Sequence, residues 1–403
     1  MYSILIISSV YTSSLLQFEK TNPNFKELDF HSLSELMNNS STSIADKLSY
    51  QFNKLGVESN FIISNYQFLQ NKWAKENNIN AKSDELLIEQ ISYYSPVVIL
   101  TSGFGIDSKL LKAIKQKVPT LKYFITLHAS PISKREIEIG KEYDLVISSI
   151  MGMVRFFKKN GLNSIYMPHA FDDRILKQIG HVEKENKLVF AGSLTSGNQF
   201  HDDRIRMIFQ LLKKNLPVDI FANIRNKKSL VNKLMLISYK IYNQFPLILK
   251  NTLHKNKILS TLEQLDENFF KDSEELKYIK HYVKPAKFGI DYYKVLASAS
   301  ISFNNHINIT GNYTGNIRLF EATGVGSLLI TDEKIDNNEL FEIDKEILTY
   351  ASYDEAIEKI QWALNNPNEA KVIAEAGQRR TLKDHTYKNR VEQLNRIIQE
   401  KLM

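Results

Sequence analysis

Twice along this chain, short apolar runs rich in β-branched residues alternate with amphipathic helical segments, and that alternation restricts the fold more than anything else in it. In the first half the runs fall at 2–8, 57–63, 97–100, 122–127, 145–148 and 164–167. Between them Ile44, Leu48, Phe52 and Leu55 share one helical face that Gly56 ends, and the spacing predicts further helices over 85–93, 107–117 and 153–159, with Asp107 as a cap. Strands alternating with helices build a parallel, doubly wound sheet. A second series begins with a strand at 188–193 that runs into a turn at Gly192, followed by a helix at 203–214 and strands at 218–222, 301–304, 327–331 and 347–350. Helices are expected at 289–299, 354–364 and 370–382, and a last one carries Val391, Leu394, Ile398 and Leu402 on one stripe.

The chain has 403 residues, past the size at which one core keeps growing, so the two series read as two domains. The expected division is a first domain at 1–170, a polar, loop-like hinge at 171–186, a second domain at 187–385 and a C-terminal helix at 386–403. Both are doubly wound α/β units facing a central cleft. No stretch of 18 or more apolar residues occurs, and the first ten residues lack the basic start of a signal peptide. The expectation is a cytoplasmic protein, at most peripheral to the inner membrane face. With no cysteine there is no thiolate nucleophile, disulfide or zinc-thiolate site, and no compact His and carboxylate cluster suggests a metal.

Ligands of open α/β sheets sit beyond the carboxyl ends of the strands. The loops to watch are 8–14, 101–105 and 127–130 in the first domain and 192–197 and 304–315 in the second. The stretch 304–332 is the most informative: strand end, glycine-containing loop, helix from about Asn316, glycine turn, strand. A loop of small residues ending at a helix start suits an anion. Arg318 and Glu321 follow at i,i+3, a cation for phosphate and a carboxylate for sugar hydroxyls; an ordinary surface ion pair would have the same spacing.

The run Asn316, Ile317, Arg318, Leu319, Phe320, Glu321, Ala322, then Gly324, Gly326, 328–332 and 339–341, resembles the C-terminal domain of group 1 glycosyltransferases, in particular the spore-maturation (CgeB-type) set. The likeness continues through 353–355, 374–379 and 385–390, and upstream at 289–293 and 190–193. It implies the GT-B fold, with donor nucleotide on the C-terminal domain and acceptor mostly on the N-terminal one. Carried across, it puts Glu321 on the donor ribose, Arg318 near the diphosphate, and Asn316 with the amides of Thr314 and Gly315 beside the phosphates. Gly192 and Ser193 would pass close to the diphosphate. The passage 282–288 would hold the base through the Val283 backbone, and Lys284 or Lys287 would be a further cation. Many retaining members carry two glutamates eight positions apart; here the first position is Tyr313, so retention or inversion is not legible. His128, at the end of an apolar strand, is the candidate base for an inverting reaction or a partner of the donor sugar. His169, His201, Asp202, Asn305 and His306 are weaker candidates beside the same cleft.

The implied activity moves a sugar from a nucleoside-diphosphate sugar to a saccharide or lipid-linked acceptor, in cell-surface polysaccharide assembly, with no tightly bound cofactor and no metal. The alternatives are a non-catalytic nucleotide-sugar-binding protein of a surface-assembly complex and a nucleotide-sugar epimerase.

The segment 225–280 is longer than a plain strand-to-helix connection needs, so it reads as an insertion with its own helices. Residues 225–257 hold eight Lys/Arg and no Asp/Glu, a local +8 against a net charge of +7 for the whole chain. Leu230, Leu234, Ile237 and Ile241 form an apolar stripe from which Lys227, Lys228, Lys233 and Lys240 lie apart, and Pro246 interrupts it. Packing of the stripe on its own domain is the simpler expectation, and an anionic membrane surface is the other. Nucleic acid is not expected, since the segment lacks regularly interleaved aromatics.

Overall fold

The computed structural model describes residues 2–40, 43–195, 201–224, 230–246, 262, 267–307, 309 and 311–403. Six parallel strands form the first sheet: β1 (Ser3–Ser8), β2 (Glu58–Ile63), β3 (Val98–Ser102), β4 (Tyr123–Leu127), β5 (Leu145–Ser148) and β6 (Ser164–Tyr166), in the order β2-β1-β3-β4-β5-β6. Six more form the second: β7 (Glu185–Leu194), β8 (Val218–Ile224), β9 (Val283–Pro285), β10 (Ala299–Asn304), β11 (Leu328–Asp332) and β12 (Leu348–Tyr350), in the order β12-β11-β10-β7-β8-β9. Inner strands such as β1, β3 and β5 are apolar and buried on both faces, as the short β-branched runs require, whereas β10 turns Ser300, Ser302 and Asn304 to one face. Chain order reverses between β1 and β3 and between β7 and β10, so each sheet has a crevice at the carboxyl ends of those pairs.

Several elements depart from the sequence reading. Helices Thr12–Thr21, Phe30–Asn39, Gln67–Glu76 and Lys134–Gly140 were not expected. Three of them bury single apolar pairs or near-pairs (Leu15 with Phe18, Leu33 with Met37, Leu69 with Trp73), too little repetition to show a period. The loop after β1 is therefore shorter than 8–14, since Thr12 already starts a helix. The stretch 171–186 contains the helix Arg174–Ile179, and Phe171 and Ile175 are fully buried. Arg174 joins that helix to the first domain: its Nη2 lies 2.7 Å from the Asp172 carboxylate and 3.5 Å from that of Asp46, and its guanidinium sits 4.2 Å from the Tyr50 ring centre.

The last helix, Tyr387–Leu402, returns to the first domain, where Tyr387, Val391, Leu394 and Ile398 share a core with Ile4, Ile6, Leu48 and Phe52. Arg390 on this helix donates to the carbonyls of Pro168 (2.7 Å) and His169 (3.0 Å), and to His385 Nδ1 (2.9 Å). With Nδ1 accepting, His385 carries its proton on Nε2, which donates to the Leu340 carbonyl at 2.8 Å. Burial pushes both His169 and His385 down to about 4.

Unfolded, these histidines titrate near ~6.5. The unfolded chain thus binds more protons between pH ~6.5 and ~4, so their contribution is complete above that window and is lost as pH falls through it. At ~1.4 kcal/mol per pH unit, each loss reaches on the order of 3 kcal/mol at the acid end. The melting temperature is expected to fall steeply from pH 6.5 to 4.5 and less steeply in His169→Gln. A flat profile over that range would refute the assignment.

The insertion differs most from the simpler expectation. Residues 225–229 and most of 247–266 lie outside the described residues, but the helix Leu230–Asn243 is among them. Its apolar stripe is turned outward among the described residues: Leu230, Leu234, Ile237 and Ile241 are 71%, 56%, 53% and 50% exposed. The inward side is the other one, with Asn232 and Tyr242 buried and Tyr239 against Phe270 at 5.4 Å.

Candidate functional site

The crevice between β7 and β10 is built on Phe190. Two guanidinium groups, those of Arg204 and Arg318, lie 5.7 and 5.8 Å from its ring centre. Arg318 opens the helix Arg318–Gly324, two residues later than the sequence suggested, and its side chain lies along β7 at Gly192. A Cβ on Gly192 would stand 3.2 Å from Arg318 Nη1 and 3.3 Å from Nη2, so the missing side chain is what lets the guanidinium reach the strand. Gly192 and Ser193 belong to the strand itself, paired with Ala222 and Asn223 of β8, rather than to a turn. Residues 196–200 of the expected loop lie outside the described residues.

Arg318 Nε donates to the Tyr292 hydroxyl at 3.3 Å, and that hydroxyl donates to Glu321 Oε2 at 2.6 Å. Tyr293 donates to the other carboxylate oxygen, Oε1, at 3.2 Å. Burial pushes both tyrosine hydroxyls above their ordinary range, so they stay protonated and keep donating. Arg318 and Glu321, read as a pair from their spacing, are thus joined through a tyrosine rather than by a direct ion pair.

Arg204 had not been singled out. Its Nε and Nη2 donate to the Asn305 carbonyl (3.1 and 2.5 Å) and its Nη1 to that of Ser193 (3.3 Å), so one side chain spans the ends of β7 and β10. Among the described residues it forms no ion pair. Burial, and then the Arg318 charge, pull it down to about 9. Two buried guanidinium groups thus share the Phe190 ring, Arg318 countered by Glu321 through Tyr292 and Arg204 in no ion pair among the described residues, which leaves local positive charge that an anion would neutralise. The signal in the sequence was an arginine on the buried face of its helix, in register with Ile208 and Leu211.

The loop before Arg318 is more committed than its composition suggested. The Thr314 amide and hydroxyl both donate to Asp336, at 2.7 and 2.8 Å, so neither is free for a phosphate. Asn316 accepts from the Arg318 amide (3.1 Å) and donates to the Asn304 side chain (2.7 Å), holding the helix start against the end of β10. The Gly315 backbone bonds His169, whose Nε2 lies 2.8 Å from the Ser149 hydroxyl of the first domain. Tyr313 packs on the first domain as well. A Cβ on Gly152 would meet its ring at 3.0 Å, and Arg155 sits 5.2 Å from its ring centre. The position where the resembled family has a glutamate is here an aromatic contact between domains.

Val283 and Lys284 lie on β9, opposite Ile220 and Phe221 of β8. Lys284 is paired with the Asp219 carboxylate, which also binds Lys187 at 3.2 Å, so its charge is already met. Both residues line a cavity of about 500 Å³ with Ala222, Ile224 and Phe288 and, from the first domain, Ser13. A second cavity of about 670 Å³ opens at the ends of β10, β11 and β12, lined by Asn305, Asp332, Lys334, Tyr350 and Tyr353. There Asp332 accepts from the His306 amide and ring nitrogen, both at 2.8 Å, and pairs with Lys334 at 3.1 Å. Burial alone would raise that carboxyl; these partners hold it well below the usual range.

In the first domain His128 follows β4 with Nε2 at 2.9 Å from both the carbonyl and the hydroxyl of Ser130, its ring 4.9 Å from that of Phe104. Burial lowers its pKa and keeps the imidazole neutral. Asp107 caps its helix by accepting from the Leu110 amide at 3.1 Å. Among the described residues, no group of three His, Cys, Asp or Glu is placed to hold a metal ion.

Residues 260–396 match the model of a family described as glycosyl transferase-like. No protein of curated function matches the chain. Solved structures match over nearly its whole length. A glycosyltransferase from Rickettsia africae superposes with a TM-score of 0.56 at 11% identity, covering 100% of this chain and 98% of its own. Anabaena HepE in complex with UDP and glucose gives 0.53 at 11%, over 99% and 100%. Sucrose-phosphate synthase from Thermosynechococcus elongatus gives 0.53 at 10%, over 99% and 98%. Identities this low speak for architecture, and the architecture is that of GT-B glycosyltransferases: two six-stranded parallel sheets in an α/β chain.

Proposed function

We propose that this protein is a nucleotide-sugar-dependent glycosyltransferase that holds the donor diphosphate against Arg318 and Gly192. The observation that carries this reading is the buried network Arg318, Tyr292, Glu321 and Tyr293, set where the chain order reverses and one residue type away from empty strand backbone at Gly192. Arg204 and Arg318 supply the positive charge that a leaving diphosphate requires, and Glu321 supplies a fixed acceptor for ribose hydroxyls. The 500 Å³ cavity at Val283, where Ala222, Ile224 and Phe288 offer apolar wall and Ser13 and Asn223 polar groups, suits the base. UDP in the HepE structures supports a nucleoside-diphosphate donor of that class.

In this reading residues 187–385 bind the donor and residues 1–170 the acceptor. The bond from the anomeric carbon to the diphosphate breaks, its electron pair goes to the phosphate oxygen, and the arginines rather than a metal stabilise it. In an inverting transfer the acceptor oxygen bonds to the anomeric carbon as its proton passes to a base, for which neutral His128 is the group proposed. Kinship to the CgeB-type set and a saccharide or lipid-linked acceptor in surface-polysaccharide assembly extend the same proposal. Tyr313 favours one other reading, a nucleotide-sugar-binding protein without turnover, because the glutamate that would contact the transferred sugar is replaced.

Thermal shift against nucleoside diphosphates and their sugars tests the reading. One diphosphate series is expected to raise the melting temperature, and Glu321→Ala to weaken that ligand by about 10- to 100-fold, the loss of a hydrogen-bonded charged acceptor. Sugar transfer that depends on an added acceptor then separates enzyme from binding protein. No response to any nucleotide would sink both.

A further inference from the structure

The helix Leu230–Asn243 is amphipathic with its apolar stripe turned outward. At 100° per residue Leu230, Leu234, Ile237 and Ile241 fall within ~60° of one another, with Val231 on one flank and Lys233 and Lys240 together along the other. Both lysines are exposed, and residues 230–243 include no Asp or Glu. The inward face is settled by Asn232, Tyr239 and Tyr242, so the stripe is not a core face waiting for this domain to close on it.

We propose that this helix docks the protein on an anionic lipid bilayer. The stripe enters the boundary between headgroups and acyl chains, and Lys233 and Lys240 meet lipid phosphates along one rim. Charge complementarity selects this occupant. Among the described residues of this segment, 230–246, the charged side chains are Lys233 and Lys240 with no acidic residue, which suits a negative surface of headgroups. A second copy of the same helix would cover the stripe but would gain no ion pair, because neither helix has a carboxylate to offer. The start of the helix also lies within ~22 Å of the cleft wall. Strand β8 ends at Ile224, a wall residue of the cavity at Val283, and the chain from there to Leu230 can reach at most ~22 Å. The bilayer would therefore lie near the mouth of the donor site, where an acceptor carried on a lipid could be presented. Docking itself does not depend on the donor reading.

Co-sedimentation of the full chain with vesicles tests the proposal, using pure phosphatidylcholine and phosphatidylcholine containing one-third phosphatidylglycerol. Binding is expected for the second at low salt and is expected to weaken on raising the salt. Leu234→Glu with Ile237→Glu should reduce the partition coefficient at least ~10-fold, and Lys233→Glu with Lys240→Glu at least ~25-fold. These positions are exposed, so the melting temperature, and any shift it shows with nucleoside diphosphate, should be unchanged in both variants. Absence of binding to anionic vesicles at low salt, or equal binding by wild type and variants, would overturn the proposal. So would sedimentation equilibrium showing a dimer in vesicle-free solution that the Leu234→Glu, Ile237→Glu variant dissolves.

Discussion

Arg318→Ala is expected to lower sugar transfer by about 10³-fold and to remove the thermal shift given by nucleoside diphosphate. Losing one fixed donor to a charge that develops in the transition state typically costs ~10²- to 10³-fold. Here the larger value is expected because Arg318 is buried against β7 and stands beside the start of its own helix, where water cannot readily take its place. The variant should still fold. Arg204, depressed first by burial and then by the Arg318 charge, loses an unfavourable neighbour, and Glu321 keeps its hydrogen bonds from Tyr292 and Tyr293 while the anion site is emptied. Arg318→Lys is not expected to rescue, since a single ammonium cannot both meet the Tyr292 hydroxyl and lie flat along Gly192. Steady-state kinetics decide the matter. An alanine variant within tenfold of wild type, with its melting temperature preserved, would place the diphosphate elsewhere.

The second large effect is on stability. Gly324 closes the helix that begins at Arg318, and a Cβ there would lie 2.4 to 2.6 Å from three ring atoms of Phe171. Glycine to alanine inside a helix ordinarily stabilises by up to ~1 kcal/mol. Here the sign reverses, because Phe171 has no exposed surface and its core neighbours Leu296 and Phe320 leave it nowhere to turn. The expected cost is about 3 kcal/mol, at the upper end for overpacking. Denaturant midpoints check it, and Phe171→Leu in the same chain should recover part of the loss. An unchanged or raised midpoint for Gly324→Ala would mean that the linker does not pack on this helix.

Much of this was readable in one dimension. Strands such as 145–148 were visible as short continuous apolar runs between helical segments, and the stripe of Val391, Leu394 and Ile398 through the 3.6-residue period of a helix, both properties of neighbouring residues. The resemblance around Asn316 to Ala322 drew attention to Arg318 and Glu321, whose i,i+3 spacing is also local. The short helices near the N-terminus escaped because two turns offer too few apolar positions to establish a period.

What depended on partners distant in sequence was not readable. That Thr314 is held by Asp336, that Tyr292 stands between Arg318 and Glu321, and that Arg204 spans two strand ends are facts about groups 11 to 101 residues apart. The apolar stripe of Leu230, Leu234, Ile237 and Ile241 is the clearest case. The sequence determined that residues 230–241 make an amphipathic helix with lysines beside its apolar line. Only the tertiary structure decided which side faces inward, because periodicity fixes the angle between two faces of a helix, while the surface against which either is buried is assembled from the rest of the chain.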